Sequence, residues 1–135
     1  MSSTAEEPSD RFLTMLGVGS ALMQIVAFTA VGVLTLESVP YGVAVGGLSG
    51  VGAFLFLPWF VGLSAAMDDG ERFAAATDRV DRSAGPGLLG LGLEVGAIGM
   101  LALGFARGPD LLLGLPAGLA VAVGVYLVGS FLLAR

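Results

Sequence analysis

The chain has 135 residues, of which 56% are hydrophobic and only 13% charged, with a net charge of −5 and a mean hydropathy of +0.92. Its six basic residues are all Arg, and it has no Cys and no His. These absences exclude disulfides, zinc sites of the His/Cys type, haem ligation by His or Cys, a Ser-His-Asp triad and, without Lys, Schiff-base chemistry.

The length suits one domain. An acidic balance argues against nucleic-acid binding, which needs a basic face. It suits a protein bathed in concentrated salt, as in an extreme halophile, although GC-rich coding gives the same Lys-free bias. No metal-ligand set, cofactor fingerprint or acid–base pair is present, so neither a metal, a cofactor nor an enzymatic activity is expected.

Residues 1–11, MSSTAEEPSDR, read as a disordered acidic tail. They lack the basic region and cleavage site of a signal peptide. Four apolar runs follow, at about 12–36, 42–67, 87–106 and 111–134. Each reaches the roughly 20 residues that cross a bilayer. The fold class expected is an all-α integral membrane protein with four transmembrane helices arranged as two antiparallel hairpins. A transmembrane domain would then span 12–134.

The first helix gathers Gly17, Ser20, Ala21, Gln24, Ala27 and Phe28 on one face. Small and polar residues mark the side facing other helices, because lipid offers no hydrogen bonds. Glu37, Ser38 and Pro40 close that helix. The second carries Gly42, Gly46, Ser49, Gly50 and Ala53 on one face, a series of small-xxx-small steps. Tyr41 reads as an interface anchor, and Pro58 lies inside the helix, where it removes one hydrogen bond.

The polar loop 68–86 holds acid-then-base pairs at Asp68/Arg72 and Asp78/Arg82, which favour helix. A short cytoplasmic helix is expected there, ended by Gly85 and Pro86. The third helix holds Gly92, Gly96 and Gly99 nearly opposite its single acid, Glu94. Arg107, Gly108, Pro109 and Asp110 form a tight turn. The fourth helix has Gly114, Ala117, Gly118 and Ala122 on a small face, with Tyr126 and Ser130 one turn apart.

Four spans place the N-terminus, the central loop and the C-terminus on one side. That side carries Arg11, Arg72, Arg79, Arg82 and Arg135, against Arg107 alone on the other. The positive-inside rule puts the two termini in the cytoplasm and the chain in the cell (inner) membrane as a multi-pass protein.

Glu94 is the residue that composition cannot make bland. A carboxylate inside a bilayer costs several kcal/mol, so it should face the helices, be paired or be protonated. Counted from Gly87 at 1.5 Å per residue it lies about 10 Å from the cytoplasmic end, with Ser20 and Tyr126 near that depth and Gln24 deeper. Ser20, Gln24 and Tyr126 are the expected partners of a proton or polar site.

LEVGAIGML, residues 93–101, resembles the glutamate-bearing helix of small multidrug resistance transporters. In that family the glutamate lies on the first helix and here it lies on the third. The chain also has a polar central loop that such carriers lack, so no site residue is carried over.

The expected role is structural or interactive, as an accessory subunit of a membrane complex or a homo-oligomer in the lipid bilayer. The alternative is a proton-coupled carrier or small channel using Glu94.

Overall fold

The computed structural model describes residues 10–68 and 81–134. The acidic tail through Ser9, most of the central loop and Arg135 lie outside the described residues, as does the short helix expected in that loop before Asp81. The described residues form four helices: α1 (Asp10–Leu36), α2 (Val39–Asp68), α3 (Asp81–Arg107) and α4 (Leu111–Leu133). All four are long and apolar enough to cross a membrane.

Local chemistry explains the breaks between them. Glu37 adopts a positive φ of 54°, which reverses the chain after α1. Ser38 then starts α2: its hydroxyl accepts from the Tyr41 N–H at 3.3 Å, and its carbonyl accepts from the Gly42 N–H at 3.0 Å. Gly108, at φ 90°, ends α3, and its N–H returns to the Gly104 carbonyl. Asp110 caps α4, its Oδ1 accepting from the Leu112 and Leu113 N–H groups at 3.0 and 3.4 Å.

α3 starts earlier than the sequence suggests. Gly85 and Pro86 were expected to end a connector helix, yet both lie inside α3. A residue before proline is pushed out of the helical region by clashes of its N–H and its Cβ with the ring. Gly85 has no Cβ, which removes one of these clashes, and the helix runs through. The consequence is that Glu94 sits at the midpoint of α3, about 20 Å along the axis from Asp81.

The helices stand in an open row. α1 packs on α2, α2 on α3 and α3 on α4, while α1 and α4 form no seam. Glycines make these seams close. A Cβ at Gly42 would lie 2.9 Å from the Thr29 carbonyl oxygen, one at Gly46 would strike the Thr29 hydroxyl, and one at Gly50 would strike the Ile25 side chain. Between α3 and α4, Gly92 meets the Ala122 carbonyl and Gly96 meets the Gly118 carbonyl. Gly118 in turn seats Met100, and Gly114 seats the Tyr41 ring.

Tyr41, read from the sequence as an interface anchor, packs inside the helices. It is buried with Val45, Ala97 and Met100, and its hydroxyl donates to the Met100 carbonyl. Gly104 on α3 and Gly114 on α4 leave the slot that its ring fills.

Candidate functional site

Glu94 is positioned by a close backbone crossing between α2 and α3. A Cβ at Gly52 would lie 2.8 Å from the Gly90 carbonyl oxygen and 3.0 Å from the Glu94 nitrogen. At Gly90 a Cβ would lie 2.5 Å from the Phe56 nitrogen. With no side chain on either glycine, the Glu94 carboxyl reaches across to α2.

There it meets Ser49, a fully buried side chain. The Ser49 Oγ lies 3.1 Å from Oε2 and 3.3 Å from Oε1 of Glu94. The same Oγ lies 3.0 Å from the Gln24 Oε1 on α1. Three helices thus contribute one polar group each to a single point. Gln24 lies one residue from the midpoint of α1, so the cluster sits near mid-span. Glu94 and Gln24 are each only partly buried, and Ser49 is the floor beneath them.

Among the described side chains no basic group stands beside Glu94. Arg11 and Arg107 lie near the ends of α1 and α3, far along the helix axes from Glu94. Among the described residues no group of three or more His, Cys, Asp or Glu residues could hold a metal ion.

The sequence-derived partners divide. Gln24 joins Glu94 through Ser49. Tyr126 packs instead on the cluster of Trp59, Leu63 and Leu88, and its hydroxyl lies 4.0 Å from a Cβ position at Gly85, more than two turns before Glu94. Ser20 lies one turn before Gln24, partly buried. In the sequence Ser49 is one small residue in a packing stripe. Its signal was available: among the face-forming residues of α2 it is the one with a hydroxyl.

Two buried polar atoms lack a partner among the described residues, the Thr29 Oγ1 and the Trp59 Nε1. The Trp59 indole covers Gly87, and Thr29 covers Gly46. Two apolar grooves mark the surface, one along α1 at Val26, Thr29 and Val33, the other between α3 and α4 at Leu91, Val125 and Val128. Neither is lined by Glu94.

Fold and site define a class: an all-helical protein with four helices suited to crossing a membrane and one acid at mid-span. No family model, curated protein or solved structure matches the chain.

Proposed function

We propose that this chain is a small multi-pass membrane protein with a structural or interaction role, as an accessory subunit of a membrane complex or as a homo-oligomer. Its helices form two antiparallel hairpins in the cell membrane, with both termini in the cytoplasm.

The open row of helices carries this reading. α1 and α4 bury only 11% and 17% of their apolar windows, against 39% for α2 and α3. A chain that leaves both outer helices so little covered is suited to lateral assembly. With no hydrophobic drive between helices in lipid, such assembly rests on close packing and buried polar bonds. One acid and no base at mid-span leave little for an enzyme to use.

The second reading, a proton-coupled carrier, is favoured by Glu94 itself. An ionisable group inside the membrane marks an ion pathway by default. An open row would have to complete that pathway with another copy.

Counting subunits by single-molecule photobleaching in lipid, beside proton-flux measurements in liposomes, tests both. The structural reading expects a defined assembly and no flux. A monomer that conducts protons through Glu94 would overturn it.

A further inference from the structure

We propose that Glu94, Ser49 and Gln24 form a binding site for Na⁺, in competition with a proton, at the middle of the membrane-spanning region. The site holds whether or not the protein moves the ion.

The argument begins with hydrogens. Four oxygens gather at one point: the Ser49 hydroxyl and, at 3.0 to 3.3 Å from it, both carboxyl oxygens of Glu94 and the Gln24 amide oxygen. The Ser49 hydroxyl carries the one hydrogen among them, and a hydroxyl donates once. It cannot satisfy Gln24 and Glu94 together.

Turning the Gln24 amide would let its NH₂ donate to Ser49 and Ser49 donate to Glu94. Every contact is then satisfied, yet a full negative charge remains at mid-span. That costs several kcal/mol in a bilayer. Among the described residues, the other titratable groups are held elsewhere or stand near helix ends. Tyr41 on α2 donates to the Met100 carbonyl, Tyr126 on α4 lies with the Trp59 cluster, and Arg11 and Arg107 are near helix ends.

One positive charge resolves both problems. A proton on Glu94 donates to Ser49, and Ser49 donates to Gln24. A monovalent cation among the four oxygens does the same without any rotation. A divalent ion would leave an excess positive charge in hydrocarbon.

The donor set favours a small hard cation. Carboxylate, hydroxyl and amide oxygens suit hard ions. At the 2.3–2.6 Å oxygen distances of Ca²⁺, an ion close to Na⁺ in radius, oxygens at right angles lie about 3.3–3.7 Å apart. The Ser49 Oγ stands 3.0–3.3 Å from the other three oxygens, at or just below the short limit, a spacing nearer to what Na⁺ needs than to the wider one a larger K⁺ imposes. Glu94 and Gln24 are only partly buried while Ser49 closes the floor, so the oxygens open toward the surface of the helices.

The test uses the full-length protein in mild detergent and a hydrophobic carbodiimide, which modifies protonated membrane carboxyls. Na⁺ should slow labelling saturably at constant ionic strength, whereas K⁺ and choline should not. Glu94→Gln should abolish the labelled product. Ser49→Ala should label normally but require roughly tenfold more Na⁺ for protection, as expected when metal-site support is lost. Labelling at equal rates in Na⁺ and choline would overturn the proposal in favour of a proton alone.

A second readout does not depend on labelling. Na⁺ should raise the thermal midpoint of the parent and leave Glu94→Gln unmoved. An equal shift in both proteins, or no shift in either, would also overturn it.

Discussion

Gln24 and Glu94 meet through one atom, the Ser49 hydroxyl oxygen, although their helices α1 and α3 share almost no seam. The hydroxyl therefore ties an outer helix to the central pair. Ser49→Ala should destabilise the protein by about 1 kcal/mol, within the range for membrane hydrogen bonds. Without Na⁺ and with Glu94 protonated, Glu94→Gln should be nearly silent in stability, because the amide keeps shape and bonding. A double-mutant cycle of Ser49→Ala with Gln24→Ala should be non-additive. Additive losses in chemical unfolding would mean that the two side chains act independently.

Adjacent glycines on α2 provide a matched pair for the α1–α2 seam. A Cβ at Gly46 strikes Thr29, whereas at Gly47 nothing lies within 4 Å. Gly46→Leu should cost about 3 kcal/mol by overpacking. Gly47→Leu should be neutral or stabilise by up to about 1 kcal/mol through helix propensity. Equal melting temperatures for the two variants would remove the seam.

Tyr41 couples α2 to α4 in a way that a cycle can read. A Cβ at Gly114 would lie 2.5 Å from the Tyr41 hydroxyl oxygen and 2.6 Å from its Cε2. Gly114→Ala should therefore destabilise by roughly 1–3 kcal/mol. Tyr41→Phe should cost about 1 kcal/mol on its own through the lost bond to the Met100 carbonyl. Because the phenylalanine removes one of the clashing atoms, the double variant should be more stable than the two losses summed. A simple sum would show that the ring does not occupy this slot.

The reversal between α1 and α2 uses an unfavourable residue. Glu37 holds φ at 54°, a conformation that costs an L-residue about 1–2 kcal/mol. Glu37→Gly should raise stability by about 0.5–1 kcal/mol after the entropy of glycine in the unfolded chain is subtracted. A fall in the thermal midpoint would mean that the Glu37 side chain makes a contact worth more than the strain.

Orientation can be read by labelling. Single cysteines placed in 68–86 or at either terminus should react only from the cytoplasmic side, and ones beside Pro40 or Gly108 only from outside. Opposite reactivity of the central loop and the C-terminus would require an odd number of spans.

Much of the architecture is local and therefore readable in the chain. Helix number follows from apolar runs longer than a bilayer is thick, and the breaks follow from Ser38, Gly108, Pro109 and Asp110. The small faces were readable too, because lipid-facing positions need no glycine. Gly42, Gly46 and Gly50 meet α1, and Gly92 and Gly96 meet α4.

What the sequence could not determine is which polar groups share a place. Depth counting began α3 at Gly87 and put Glu94 near Tyr126. The backbone runs helical from Asp81, and Tyr126 lies by Gly85 instead. Ser49 was lost among small residues because its hydroxyl matters only once a partner stands opposite. That partner is chosen by the register between α2 and α3, which the close approach of Gly52 to Gly90 sets. Length and hydropathy are properties of one helix at a time. Register belongs to a pair of surfaces in contact, and only the folded molecule brings the Glu94 carboxyl to the Ser49 hydroxyl.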